Sequence, residues 1–325
     1  MKVGIRVPSY SWQGMTVAEV AGLRGYAERA EDLGFDSLWV IEHLLVAPPI
    51  YRVSWLDPLE VLAFLAACTS RVQLGSGIIV LPLRHPVMLA KQIASLWALA
   101  QGRLILGVGP GWYRPEFEAV GVNPAERGAR TDECLEALRL LLTQPNVSFE
   151  GRFFRFLDVS IDPLLPAPPP IWVAGGSSTD PSSGEPVIPV PVLDRIVHSD
   201  GWLSGSSGRP DEQMKRDWQR VQAAARALGR DPRGIVFGHT QFLHIVESDD
   251  RERVVADQMV AFRRVMGDRS AEKLAADYLF GTTDDMLRRL RELAEIGLEH
   301  IVLTPLTSDP RQLDLIAERL LPHVR

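Results

Sequence analysis

The dipeptide Glu42-His43 is the first place in the sequence where side chains could carry out acid–base chemistry. It follows Phe35–Ile41, an apolar segment with the composition of a buried strand. A histidine at a strand end can donate a hydrogen bond to a ligand or exchange a proton near neutral pH, and the adjacent Glu42 could set its tautomer and charge. A purely structural histidine fits the spacing equally well, so both interpretations stay open at this point.

A glycine-rich segment, Gly107-Val-Gly109-Pro-Gly111, ends the apolar strand predicted over Leu104–Val108. Its G-x-G-x-G spacing differs from the G-x-G-x-x-G of dinucleotide-binding folds, and the acidic residue about twenty positions on, Asp132, falls inside a predicted helix. We therefore interpret the segment as a tight turn or as a wall that a flat ligand approaches closely.

A second segment, Gly175–Thr179 (GGSST), follows the strand predicted over Ile171–Ala174. Its backbone N–H groups and three hydroxyls could hold a phosphate, although an ordinary loop has the same composition. Arg127 and Arg130 begin a helix predicted over 127–142. They either form ion pairs at that helix terminus or place a guanidinium against an anionic ligand.

The sequence predicts no metal site and no activated serine. His239 and His244 are five positions apart in a predicted strand and would therefore lie on opposite faces. Neither an H-E-x-x-H nor a G-x-S-x-G motif occurs in the sequence. Cys68 and Cys134 both fall within helical patterns, where we expect buried free thiols.

The order of the predicted elements indicates what would hold these residues together. Gly75–Leu81, a helix over Pro86–Ala100 and Leu104–Val108 make a β-α-β unit, which requires parallel strands. Eight such alternations, with no change of composition between the halves, predict one α/β domain over residues 1–325, a (β/α)8 TIM barrel. We also expect an inserted loop at about 180–192 and a hairpin at the barrel edge at about 146–162. Such barrels carry their active sites at the C-terminal ends of the strands.

Composition and charge narrow the classes of partner. The chain has 325 residues, 35 basic against 41 acidic, and a net charge of −6. Nucleic acid and anionic membranes are therefore not expected partners. No apolar run reaches the ~18 residues of a membrane span, and the N-terminal MKVGIRVP has the pattern of a strand and not of a signal peptide. We expect a cytoplasmic protein.

Six separated motifs give the sequence a family resemblance. They are AEDLGFDSLWVIEH, LDPLEVLAFLAACTSRVQLGSGIIVLPLRHPVMLAKQIASL, GRLILGVGPGWYRPEFEAVG, ERGARTDECLEALR, PPPIWVAGGSS and DGW. In this order they resemble the luciferase-like monooxygenase superfamily, and most of all its bacterial branch that uses coenzyme F420. The resemblance implies a TIM barrel with an insertion, in which F420 or alternatively FMN lies across the strand ends.

The resemblance also implies roles for individual residues. A non-prolyl cis peptide behind the cofactor ring would map to Gly77-Ile78, and Glu42 and His43 match an acidic-His pair near the ring. Pro110 stands where bacterial luciferase has an arginine toward the flavin phosphate, which leaves Arg127 or Arg130 as substitutes. The remaining cofactor-binding candidates are Gly109 and the phosphate loop Gly175, Gly176, Ser177, Ser178 and Thr179. An aromatic substrate pocket is expected from Tyr10, Trp12, Trp55, Trp112 and Tyr113.

The resemblance favours F420-dependent hydride transfer to or from a small organic substrate. His43 is the first candidate for proton transfer, Glu116 the second, and Glu42 the third catalytic candidate. Two alternatives are an FMNH2-dependent monooxygenase and a non-catalytic flavin-binding protein. A flavin or F420 reductase and a second copy of the chain are the expected protein partners.

Overall fold

A computed structural model describes residues 1–11, 22–48, 53–179, 184–205 and 211–324. Its central feature is a closed barrel of eight parallel strands, as the sequence predicts. The strands are β1 (Lys2–Arg6), β2 (Ser37–Val40), β3 (Gln73–Ser76), β4 (Leu104–Gly109), β5 (Ile171–Gly175), β6 (Gly201–Ser204), β7 (Val236–Leu243) and β8 (His300–Pro305).

Each strand pairs with its sequence neighbours, and β1 closes the barrel against β8. Short segments also pair outside it. Tyr10–Ser11 pairs with Ser54–Trp55, and Val147–Glu150 pairs antiparallel with Arg155–Val159, within the region of the expected hairpin.

Helices surround the barrel and bury their apolar faces against the outward side chains of the strands. The α-helices are Leu23–Asp32, Pro58–Cys68, Pro86–Leu99, Arg114–Ala119, Arg127–Thr143, Val190–Val197, Asp211–Ala227, Arg251–Met266, Ala271–Asp277, Thr283–Ile296, Arg311–Arg319 and Leu321–Val324. Within the described ranges, none of these helices has the length and apolar content needed to cross a bilayer.

Two boundaries differ from the sequence-based expectation. Gly75–Leu81 is not one strand: β3 ends at Ser76, and a short pairing of Ile79–Val80 with β4 follows. The helix Val190–Val197 begins inside the stretch expected as an inserted loop, and Pro186–Val187 pairs there with Ser178–Thr179. The predicted start of the first helix at Thr16 lies outside the described residues.

Tryptophan side chains fill the barrel interior. Trp39 and Trp172 have ring centroids 5.4 Å apart, and both contact the ring of His300 edge to face. A methyl group at Gly75 would lie 2.5 Å from the Trp39 ring, and one at Gly201 would lie 2.5 Å from Trp172. Glycines on neighbouring strands therefore make the room that the indole rings occupy.

Candidate functional site

A cavity of about 240 Å³ opens at the C-terminal ends of the barrel strands. We call it the central cavity. The residues that line it lie in the C-terminal halves of seven of the eight strands or follow them. They include Arg6, His43, Ile78, Trp112, Glu116 and Leu203. This is the end of the barrel where catalytic side chains are expected.

The wall between β3 and β4 is made of backbone. The Gly77–Ile78 peptide is cis, at the position that the family resemblance implied. Ser76 donates its hydroxyl to the carbonyl oxygen of Gly107 at 2.8 Å. A methyl group at Gly107 would lie 1.9 Å from the Ser76 carbonyl oxygen, so no larger residue fits there without movement.

Arg6 supports this wall from inside the barrel and was not predicted from the sequence. Its Nη2 donates to the carbonyl oxygen of Gly77 at 3.2 Å, and only 4 % of the residue is exposed. An arginine between the apolar residues Ile5 and Val7 was the available signal, because such a charge is rarely buried without a specific partner.

His43 and Glu116 form a buried pair on the cavity wall. Nδ1 of His43 lies 3.1 Å from Oε1 of Glu116, and the same oxygen accepts a hydrogen bond from the backbone N–H of Leu45 at 3.1 Å. The edge of Trp112 meets the imidazole with ring centroids 5.6 Å apart. Glu116 comes from the short helix after β4, so the pair joins two strand ends.

Glu42 does not hold His43, contrary to the expectation from their adjacency. Its carboxylate accepts hydrogen bonds from both the Nε and Nη2 of Arg84 and from the backbone N–H of Val80. Arg84 also donates to Asp57 at 2.7 Å. Burial alone would lower the pKa of Arg84, but Glu42 and Asp57 raise it above its ordinary value. Adjacent residues at a strand end point to opposite sides, so Glu42 turns away from His43. Its partner, Arg84, is 42 residues further along the chain and could not be identified from the local sequence.

A second cavity, also of about 240 Å³, adjoins the central cavity. We call it the peripheral cavity. It shares Glu42 and His43 with the central cavity and is otherwise lined by residues that include Leu44, Trp55, Leu83, Arg84 and Val120.

The predicted aromatic pocket is only partly assembled around the two cavities. Trp112 lines the central cavity and Trp55 the peripheral one. Tyr10 packs edge to face on Trp55, with centroids 5.1 Å apart, and Tyr113 packs on Trp112 at 5.3 Å. Both tyrosines thus support a lining residue. Trp12 lies outside the described residues.

Asp217 accepts hydrogen bonds from the loop Gly175–Thr179, which was expected to bind phosphate. Ser177 donates its hydroxyl to Oδ2 of Asp217 at 2.8 Å and its N–H to the same oxygen at 3.3 Å. Asp217 is 2 % exposed and also accepts from Nε2 of Gln213 at 2.8 Å. The fit to a phosphate is therefore weaker at Ser177 than the composition of the loop indicated, because a carboxylate already uses its donors.

Two other cofactor candidates have protein partners. Arg130 lies 3.3 Å from Glu126 and its guanidinium stacks on Phe153, 4.5 Å from the ring centroid. A methyl group at Gly109 would lie 2.5 Å from the side chain of Ile78. The close contact with Ile78 is a structural reason for a glycine at position 109. A role for either residue in cofactor binding stays a prediction.

A larger cavity, about 850 Å³, opens at the opposite end of the barrel, where the strands begin. Its acidic rim has a structural use: Asp36 accepts from the N–H of Val3 at 2.7 Å, and Asp200 accepts from the N–H of Ile171 at 2.9 Å. We assign the chemistry to the other end, because the buried His43–Glu116 pair lies there.

Comparisons with known proteins agree with this geometry. A family model described as luciferase-like monooxygenase matches residues 1–181. An F420-dependent glucose-6-phosphate dehydrogenase of Kineococcus radiotolerans is 38% identical over 47% of this chain and 46% of its own length. A protein of that name from Intrasporangium calvum is 28% identical over 91% of this chain and 92% of its own.

Several other curated relatives are matched over only about half their length, like the Kineococcus protein. Among solved structures, the monooxygenase RslO1 from Streptomyces bottropensis has a TM-score of 0.79 and 26% identity, with complete coverage of both chains.

Proposed function

This chain belongs to the luciferase-like monooxygenase family, and from that premise we propose that it is an F420-dependent oxidoreductase acting on a small organic substrate. The observation that carries the proposal is that one cavity at the strand ends contains both a backbone wall and the buried His43–Glu116 pair. The name of the relative from Intrasporangium calvum, which spans most of the chain, supports F420 as the cofactor.

The residues around the central cavity fit a flat ring. Gly77, Gly111, Ala174 and Gly205 present little side-chain bulk to it, so backbone atoms can approach a ring face closely. We assign the ring to this wall and the cofactor phosphate to the loop after β5. Backbone N–H groups of that loop would meet the phosphate, because Asp217 engages the hydroxyl of Ser177.

A bound deazaflavin supplies a carbon that accepts or donates hydride. The protein donates or accepts the accompanying proton. Since Nδ1 of His43 contacts Glu116, proton exchange with a substrate would go through Nε2, and the Glu116 carboxylate would stabilise the imidazolium that forms. The pair is also nearly closed to water, with side-chain exposures of 6% and 2%, which strengthens this electrostatic effect.

An FMNH2-dependent monooxygenase is the second candidate, supported by the similarity to RslO1 over the full length of both chains. This version would need a reductase partner to supply reduced flavin, whereas the F420 version would not need one during turnover. The buried His43–Glu116 pair favours an enzyme over a non-catalytic binding protein.

Titration of the purified chain with oxidised F420 and, separately, with FMN tests the proposal. Quenching of the cofactor's fluorescence should give micromolar or tighter binding for F420 and at least tenfold weaker binding for FMN. The reverse preference would make the chain a monooxygenase candidate, and binding of neither would overturn the proposed function.

A further inference from the structure

The cavity at the end of the barrel where the strands begin has no part in the proposed reaction. We call this space of about 850 Å³ the basal cavity. Its volume lies within the range of sites that hold small molecules. The layer of Trp39, Trp172 and His300 fills the barrel between this end and the other. A ligand of the basal cavity would therefore bind independently of a cofactor at the opposite end.

The hydrogen bonds of Ser37 determine which nitrogen of His300 carries a proton. The Trp39 indole can only donate, and it donates to the Ser37 hydroxyl oxygen at 2.7 Å. Over the described ranges, the only other partner of that hydroxyl is Nε2 of His300 at 2.8 Å, so Ser37 donates its proton there. Burial lowers the pKa of His300 to about 4, so at neutral pH the imidazole carries a single proton. That proton lies on Nδ1, because Nε2 accepts.

The Nδ1–H group of His300 has no acceptor among the residues that the structure describes. His300 is 1% exposed and lines the basal cavity, and since Nε2 is turned to Ser37, Nδ1 is the nitrogen left for a ligand. A buried donor without an acceptor is destabilising, and native proteins keep few of them. A ligand with a carbonyl oxygen or an aromatic nitrogen would supply the acceptor.

The rim of the basal cavity carries more negative than positive charge. Three carboxylates line it, those of Asp36, Asp200 and Glu299. Two cations oppose them, the ammonium group of Lys2 and the amino group of Met1. An excess of one negative charge favours a cationic ligand over an anionic one of the same shape.

Two of these carboxylates have an oxygen left for a ligand. Asp200 accepts the backbone N–H of Ile171 at 2.9 Å, and Glu299 accepts that of Phe237 at 3.4 Å. Each bond uses one carboxylate oxygen. The second oxygen of each makes no hydrogen bond within the described part of the chain, and both side chains reach solvent at the rim. Holding the strand starts therefore leaves half of each carboxylate open to a cation.

The walls between the rim and His300 are apolar. The side chains that form them are Ile105, Pro170, Trp172, Val236 and Leu298. Apolar walls with a few polar groups at defined places are typical of sites for small organic molecules, in which the polar groups fix the orientation. Here the polar groups are a neutral N–H donor at the inner end and carboxylates at the outer end.

We propose that the basal cavity is a second binding site, for an organic ammonium ion whose apolar ring carries a carbonyl oxygen or a ring nitrogen. The ammonium group lies at Asp200 and Glu299, and the ring lies against the apolar walls. The oxygen or ring nitrogen accepts the Nδ1–H of His300. The site binds without a covalent step, and it does not depend on which cofactor the chain uses.

Four benzene derivatives of similar size test the proposal by isothermal titration calorimetry. The probes 4-(aminomethyl)benzamide and 3-(aminomethyl)benzamide carry both the ammonium and the carbonyl, at two spacings. Benzylamine lacks the carbonyl, and 4-carbamoylbenzoate replaces the ammonium by a carboxylate. We expect one of the two aminomethylbenzamides to bind about tenfold more tightly than 4-carbamoylbenzoate and about threefold more tightly than benzylamine. Saturation of the chain with F420 should leave this affinity unchanged.

A pair of double variants locates the binding site. Asp200→Asn/Glu299→Gln keeps the oxygens that accept the N–H groups of Ile171 and Phe237 but removes two charges, and should weaken binding of the aminomethylbenzamide about tenfold. Glu247→Gln/Asp309→Asn is the matched control. It removes two exposed charges that follow β7 and β8 at the other end of the barrel, and should change the affinity little.

NMR of the chain labelled with [15N]histidine tests the inner end of the site, because the nitrogen shifts of an imidazole distinguish its tautomers. We expect the proton of His300 on Nδ1, with its signal assigned through its loss in His300→Gln. A proton on Nε2 would overturn the proposal. So would the absence of binding by both aminomethylbenzamides, equal or tighter binding of 4-carbamoylbenzoate, unchanged binding in Asp200→Asn/Glu299→Gln, or displacement of the amine by F420.

Discussion

Arg84, and not the adjacent His43, holds the buried carboxylate of Glu42. This ion pair ties the end of β2 to the turn after β3, because Glu42 also accepts the backbone N–H of Val80. The two carboxylates therefore have different contacts. Glu42 holds the loops around the central cavity together, and Glu116 contacts the imidazole of His43. We therefore propose Glu42 as a positioning residue, and the variants below separate its role from that of Glu116.

Replacement of Arg84 by methionine should destabilise the fold by about 3–5 kcal/mol, because it leaves the Glu42 carboxylate buried without its cation. The double variant Glu42→Gln/Arg84→Met should recover most of that loss, since no unpaired charge remains. Urea unfolding at pH 7 measures both. Equal instability of the single and double variants would show that Arg84 acts through packing alone.

His43→Ala should lower turnover at least about 10²-fold, the usual contribution of a positioned proton-transfer group. Its affinity for F420 should stay within threefold of that of the unaltered chain, because the ring wall is made by other residues. Steady-state kinetics and the fluorescence titration give the two numbers. Equal losses of turnover and of cofactor affinity would count against a catalytic role.

Glu116→Gln preserves an oxygen acceptor for the Leu45 N–H and removes only the negative charge beside His43. We expect the turnover number to fall by about tenfold or more, because the imidazolium loses its counter-ion. KM and unfolding free energy should change little. A variant with full turnover would mean that Glu116 only shapes the loop.

Stability should fall with acidification because of His300. Burial lowers its pKa from 6.5 to about 4, so the unfolded chain binds a proton that the folded chain does not between these values. The stabilisation is complete above pH 6.5 and is lost as the pH falls toward 4, by about 2 kcal/mol at pH 5. Urea unfolding from pH 7.5 to 5 should show this slope, and His300→Gln should flatten it by that amount. An unchanged slope would assign the acid sensitivity to other groups.

Gly107→Ala should destabilise the fold by about 3 kcal/mol, since its methyl group would lie 1.9 Å from the Ser76 carbonyl oxygen. Gly25→Ala is the matched control. It lies on the helix Leu23–Asp32 with open space around the added methyl group, and should be stabilising by about 0.5–1 kcal/mol. Thermal unfolding of both variants, compared with the unaltered chain, measures the difference. Similar melting temperatures would contradict the close packing of this wall.

The sequence predicted the barrel well because each strand and helix carries its own periodic signal, and it placed His43 at a strand end for the same reason. It paired that histidine with the wrong carboxylate. Contacts between residues 42 and 84 and between residues 43 and 116 depend on how separate loops meet, which no local pattern encodes. Arg6 was not predicted because its partner, the Gly77 carbonyl, lies 71 residues away in the chain. The bond between Asp217 and Ser177 likewise joins two elements that lie 40 residues apart.

The layer of Trp39, Trp172 and His300 separates the two ends of the barrel. The Trp39 indole N–H donates to Ser37, and the Ser37 hydroxyl contacts Nε2 of His300 at 2.8 Å, so the layer is tied together by hydrogen bonds as well as by packing. It acts as a plug across the barrel axis. We therefore expect substrate, product and protons to enter and leave the proposed site from one end of the barrel only, the end at which His43 lies.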